Sequence, residues 1–425
     1  MFEIYLLLTP LAGILLTLLF TLMVNNRKSR TKTADKEQRS GQTLEETLSA
    51  LQDSTIAIRA SKAGAATLKN LWRLNNPFVS DSAELQQAYR RALVKVFSRT
   101  NGDTWKGIAH SVAGSLEPLL HRRCSADGSH TITANIRDVS RHATLVAVFK
   151  GLFDIDNVPT ETLTYIGSEI HRLTVGKKQY DAGTTRPDYL PQDLQRSADR
   201  LIDILRGIFS EAKNTNELAQ TVLCSISGTP DNFNPLNLVI PAFEAPWRGV
   251  YYTLLAVFQQ GSKRPQDVLT LRNCSAHQQP SSAALAIAYE SLRLYPPIRR
   301  VRRDGRVDIE AVQRDPSYWG STAAKFDPSR FLDENGEINT TLISPGSAWM
   351  PFAVGSMKCP SAGGYSARMI VMLAGEVLRQ LFPSESTPQW YVDGPEWDLA
   401  AKNGQTLRAG RDEYASVYVV SESYK

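Results

Sequence analysis

"PFAVGSMKCP", Pro351–Pro360, places one of the four cysteines of this 425-residue chain after Phe-x-x-Gly and directly before an apolar run. A lone cysteine is most often a small buried hydrophobe. The neighbours of Cys359 suggest more. Gly355 allows a tight loop that a side chain would hinder. Pro360 is a favoured first helical residue, and Pro360–Leu381 carries apolar residues at helical spacing. The positive end of that helix is expected to face the sulfur.

The rest of the composition narrows the class. Cys124, Cys224 and Cys274 are scattered with no C-x-x-C pair, so neither a disulfide framework nor a zinc site is indicated. Reduced thiols facing the cytosol fit that usage. A formal net charge of +5, with no lysine- or arginine-rich tail, gives no footprint for nucleic acid. Apolar content of 42% and charged content of 21% suit a globular chain with a large core.

At the other end, Phe2–Val24 reads "FEIYLLLTPLAGILLTLLFTLMV", long enough at about 34 Å to cross a hydrocarbon layer. A cleaved signal peptide would have a basic start and a shorter apolar region. Here Arg27, Lys28, Arg30, Lys32 and Lys36 follow the run instead, which holds the downstream chain on the cytosolic side. The domain reading is a membrane anchor over 1–25, a polar linker over 26–43 and one catalytic body over 44–425.

That body is dominated by helical periodicity. Helices are expected over Leu44–Arg59, Ala83–Arg99, Thr104–Arg122, Ile136–Phe153, Glu161–Thr174, Asp193–Phe209, Ser281–Leu294 and Pro360–Leu381. Asn234–Phe258, interrupted by Pro241 and Pro246, reads as a long core helix kinked near its centre. The best strand signals are Gln389–Val392 and Ala415–Val420. The fold class is mainly α with a small β component.

Three motifs then belong together. In "AALAIAYESLRLYPP", Glu290 and Arg293 lie three apart on one helix face. Alone the pair is weak evidence, but its apolar setting implies burial, and a buried ion pair needs further hydrogen-bonding partners. Arg330, in "KFDPSRFL", is the candidate. In the order "ESLR", "DPSRF", "FAVGSMKC", the chain resembles the cytochrome P450 superfamily of haem-thiolate monooxygenases. The stretch "VDIEAVQRDPSYWG" is similar to that family's His-Arg-Asp-Pro-x-x-Trp segment, with Gln313 in place of histidine. "ATLKNLWRLNNPFVSDSAELQQAYRRAL" resembles an early segment of fungal secondary-metabolism members.

The resemblance implies a P450-like fold behind the N-terminal transmembrane helix, and haem (iron protoporphyrin IX) on an axial thiolate from Cys359. It makes Glu290, Arg293 and Arg330 a structural triad. Phe352 and Gly355 would line the cofactor, and Arg302 and Trp105 would approach its propionates. Glu244, in "PAFEA", matches the acid of the family's acid–threonine pair. The implied function is oxidation of an apolar small molecule with O₂, in secondary-metabolite biosynthesis at the endoplasmic reticulum membrane. With no flavin or nicotinamide fingerprint in the chain, electrons come from an NADPH-dependent reductase.

Four departures qualify it. Met357 stands where a basic residue usually meets a propionate, Ser361 replaces a usual glycine, and Ala245 replaces the threonine. The region between Arg303 and Val307 leaves little room for the strand pair that normally follows the Glu-x-x-Arg helix. Two alternatives stay open: a haem-dependent isomerase, dehydratase or cyclisation catalyst, favoured by Ala245, and a degenerate relative with little haem activity.

Overall fold

A computed structural model describes residues 43–52, 68–70, 72–74, 76, 79, 82–124, 130–181, 191–211 and 234–423, the last without 277, 304, 356–357, 384–387, 398 and 411. The chain divides into two units, Met1–Thr47 and Leu48–Lys425. The apolar run Phe2–Val24 lies outside the described residues, among which no helix is long and apolar enough to cross a membrane.

The long helices are α1 (Leu44–Gln52), α2 (Ala83–Arg99), α3 (Gly102–Leu116), α4 (Ile136–Phe153), α5 (Thr160–Asp181), α6 (Pro191–Glu211), α7 (Leu236–Glu244), α8 (Pro246–Gln260), α9 (Pro265–Arg272), α10 (Ser282–Leu294) and α11 (Tyr365–Leu381). Several starts are fixed by side-chain caps. Ser82, Asn101, Asn135 and Ser281 each accept from the backbone N–H three residues on, satisfying a donor the first turn leaves open. Thr43 and Glu46 cap α1 reciprocally.

The expected long helix over Asn234–Phe258 is present as α7 and α8, with Ala245 between them in helical dihedrals. Pro246 has no N–H to give, which interrupts the ladder there. Pro241 inside α7 likewise leaves the Asn237 carbonyl without its helical donor. The fully buried Asn76 fills the vacancy, its amide donating to Asn237 O at 3.1 Å.

Around this rod the core closes as four helices, with α8 against α4 and α11, and α3 against the same two. Tyr251 and Tyr252 of α8 reach out of it, their hydroxyls donating to backbone carbonyls of the segment 408–414 and pinning that segment over the helix. Gly375 of α11 has no alternative: a Cβ there would stand 2.6 Å from Leu271 O of α9.

Six strands form among the described residues, beyond the two best strand signals of the sequence. β1 (His121–Cys124), β2 (His130–Asn135), β5 (Gln389–Asp393) and β6 (Tyr418–Ser423) make an antiparallel sheet in the order β1-β2-β6-β5, with Thr133 opposite Val420. The C-terminal strand thus begins three residues later than the Ala415–Val420 expectation. The helix expected over Thr104–Arg122 ends at Leu116, because Pro118 tightens the chain into a 3₁₀ turn and Arg122 passes into β1.

β3 (Arg300–Arg303) and β4 (Gly305–Asp308) overturn the expectation that the region after Arg303 is too short for a strand pair. They form an antiparallel hairpin in register from Arg300 opposite Asp308 to Arg303 opposite Gly305. Arg300 Nε also bonds Asp308 Oδ2 across the pair at 2.8 Å.

Candidate functional site

The site is built on α10. Glu290 and Arg293 are both fully buried, and the guanidinium grips the carboxylate with two bonds, Nε to Oε2 at 2.6 Å and Nη2 to Oε1 at 2.7 Å. The three remaining N–H groups of Arg293 meet the carbonyls of Gln313 at 2.7 Å, Ala323 at 2.7 Å and Lys325 at 3.3 Å. All five donors of the fork are used, the condition under which a charge is held inside a protein. Arg330 Nε and Asp327 N add bonds to Glu290 Oε1 at 3.3 and 2.9 Å. The structure therefore brings Glu290, Arg293 and Arg330 together. It adds backbone partners that no side-chain pattern reveals.

Gln313 carries this order towards the cysteine loop. Fully buried, it donates to the carbonyls of Leu292 and Arg293 at 3.1 and 3.0 Å, and accepts from Met350 N at 2.7 Å. A carboxamide thus bonds helix and loop at once. Trp349 joins the same edge, its Nε1 donating to Tyr289 O at 3.1 Å while its ring meets Phe352 edge-on at 5.7 Å. Sequence reasoning named Gln313 only as a replacement. Its polarity in a buried stretch was the available signal.

The loop itself is tight. Gly355 has φ +74°, and a Cβ there would lie 2.8 Å from Gln52 Cα. Both the backbone conformation and the close approach of α1 exclude a side chain. Gly355→Ala is expected to destabilise by about 1–3 kcal/mol from backbone strain alone, read as a fall in denaturant midpoint with m unchanged.

The loop closes with Cys359 N donating to Phe352 O at 2.9 Å. Cys359 is a free, half-buried thiol. Pro360 opens only a short 3₁₀ turn, and α11 begins at Tyr365 behind Gly364 at φ +101°. The expectation of an α-helix starting at Pro360 is corrected here. Among the described residues the sulfur bonds the Ser361 hydroxyl, at 3.0 Å, and Ser366 Oγ lies 2.5 Å behind it.

Tyr89 of α2, which sequence reasoning did not single out, is 5% exposed, and its hydroxyl has no hydrogen-bond partner among the described residues. Burial, and then the charge of Cys359, push its phenol well above the usual tyrosine range. A tyrosine on the apolar face of an amphipathic helix gives no signal beyond packing.

Beside the loop lies a cavity of about 210 Å³. Tyr289, Trp349, Phe352, Val354 and Ala367 make its walls mostly apolar. The remaining candidates are dispersed. Trp105 is buried in the contact of α3 with α11, its ring 5.0 Å from Tyr365 and 4.8 Å under the Arg368 guanidinium. Glu244 closes α7, half-buried, next to Ala245. The backbone of Arg302 lies in β3, while its side chain and Met357 lie outside the described residues. Arg299 pairs with Glu310, and Arg300 with Asp308.

A soft sulfur donor stands in a loop tied to a buried ion-pair network, with an apolar wall beside it. That donor chemistry fits iron in a porphyrin. The buried Tyr89 hydroxyl, within electrostatic reach of Cys359 and without a partner among the described residues, is a polar group that a further group at the loop could satisfy. Residues 285–382 match the family model described as Cytochrome P450. Similar proteins include cytochrome P450 714C2 of Oryza sativa subsp. japonica, 33% identical over 28% of this chain and 25% of that protein. Cytochrome P450 734A2 of the same plant is 31% identical over 29% and 25%. The self-sufficient cytochrome P450 monooxygenase CYP505E3 of Phanerodontia chrysosporium is 31% identical over 29% and 12%. The matched stretch spans about a quarter of the length of the two plant relatives and less of the fungal one.

That segment is similar to the cytochrome P450 superfamily, whose members carry haem on a cysteine thiolate.

Proposed function

We propose that this protein is a haem-thiolate monooxygenase that oxidises an apolar small molecule with O₂ and two electrons from an NADPH-dependent reductase. The single observation carrying the reading is the free thiol of Cys359 in a loop tied to the Glu290–Arg293–Arg330 network. Bound haem would supply the oxygen-activating chemistry, the thiolate pushing charge onto iron.

In this reading each residue has a physical task. Cys359 would hold the iron through its sulfur, and Phe352 would keep water from it. Gly355 lets the loop turn. Trp105 and Arg302 are the candidates for the propionates. Glu244 holds a proton at its carboxyl group for delivery to the oxygen side, assisted by water, since Ala245 has no hydroxyl. The secondary-metabolism role rests on the early segment's resemblance to fungal members. The anchor over 1–25 and the linker over 26–43 would hold the body over 44–425 at the cytosolic face of the endoplasmic reticulum, where a membrane-bound reductase and apolar substrates meet.

Ala245 favours a second reading, a haem-dependent isomerase, dehydratase or cyclisation catalyst that needs no oxygen. The two part in one experiment. With a reductase and NADPH, the monooxygenase reading expects substrate-dependent O₂ and NADPH consumption, and Ala245→Thr is expected to raise product formed per NADPH several-fold. Turnover that continues without reductant or oxygen would contradict it.

A further inference from the structure

The geometry points to Ser361 as a positioning residue that tunes the Cys359 sulfur through a two-hydroxyl relay. This inference rests on haem ligation by Cys359. The relay runs from Ser366 Oγ to Ser361 Oγ at 2.5 Å and from Ser361 Oγ to the sulfur at 3.0 Å. Ser366 is buried on the first turn of α11, and Ser361 sits in the 3₁₀ turn that follows Cys359. Both hydroxyls are thus held by regular structure rather than by a free loop.

The direction of the relay follows from the charge on sulfur. A thiolate has no proton to give, so Ser361 must donate to it, and its own oxygen is then open to the Ser366 proton. Each bond polarises the next. Two of the neighbouring backbone amides are committed elsewhere. The N–H of Cys359 is already committed to Phe352 O, and that of Lys358 to Gly355 O. Because α11 begins at Tyr365, an α-helix N-terminus does not directly follow the sulfur. Glycine at position 361 would offer no side-chain hydroxyl at all.

A hydrogen bond to a ligand sulfur draws charge away from the metal and is a means by which proteins tune the site. Less charge donated to iron favours its reduced form. Removing the donor should therefore make reduction harder.

The test uses the full chain loaded with haem and measures the reduction potential by spectroelectrochemistry. Ser361→Ala is expected to shift the one-electron equilibrium about tenfold towards the oxidised form, which is ~59 mV more negative. Ser361→Thr, which keeps a hydroxyl, is expected to return the potential to the parent value. Ser366→Ala is expected to move it in the same direction by less. Should Ser361→Ala take up no haem, Ser366→Ala carries the same test, since its hydroxyl does not touch the sulfur. A potential indifferent to these hydroxyls, or a threonine variant that behaves as the alanine one, overturns the relay while leaving haem ligation standing. A parent chain that takes up no haem overturns the parent reading and the relay with it.

Discussion

Arg293→Met is expected to lower the unfolding free energy by about 3–5 kcal/mol, because it leaves the fully buried Glu290 carboxylate without its bidentate partner and with only Arg330 Nε and Asp327 N. Most of a marginal domain's stability is at stake in a loss of that size. The variant also releases the carbonyls of Gln313, Ala323 and Lys325, which the guanidinium alone satisfies from the side-chain side. Loss of the indole contact adds to this, as Arg293 Cζ lies 4.9 Å over the Trp319 ring. Chemical denaturation of the parent and variant measures the difference. Replacing both partners by apolar residues of similar volume is expected to cost less than removing either one, since no charge is then left alone. A fall below about 1 kcal/mol for Arg293→Met would mean that the network is solvated and does not hold the loop.

Cys359→Ala is expected to abolish thiolate ligation completely while leaving the fold intact. The half-buried side chain loses one sulfur, and its contact with Ser361 is the sole hydrogen bond that sulfur makes among the described residues. Far-UV circular dichroism should be unchanged. After reduction and exposure to carbon monoxide, the variant should lack the red-shifted Soret band of a thiolate ligand. A red-shifted band that survives the substitution would move the ligand to another residue.

Much of this site is legible in the sequence because it rests on local patterns. Glu290 and Arg293 face the same way by helical spacing, and an apolar setting foretells their burial. The kink between α7 and α8 follows from the missing N–H of proline. The hidden parts depend on chain segments far apart. Nothing local in Arg293 announces that Ala323 and Lys325 will supply its carbonyl partners, or that Asn76 will serve the carbonyl that Pro241 abandons. β1, with the sequence HRRC and every residue exposed, has no apolar alternation to read, and it forms because β2 pairs with it while β6 returns from the C-terminus. The hairpin of β3 and β4 was obscured by its charge, since RVRR and GRVD resemble a solvated loop. The α-helix after Cys359 starts later than its apolar spacing suggests because proline suits a first turn of either kind, and Gly363–Gly364 delays the α-helix.

The most direct measurement is the difference spectrum of the unsubstituted chain, expressed with ample haem precursor, reduced, and exposed to carbon monoxide. The account expects a coloured protein whose Soret band moves to the red position that a sulfur ligand gives. A colourless protein, or one whose band stays where a nitrogen ligand would leave it, would contradict the assignment of Cys359 and the enzymatic reading built on it.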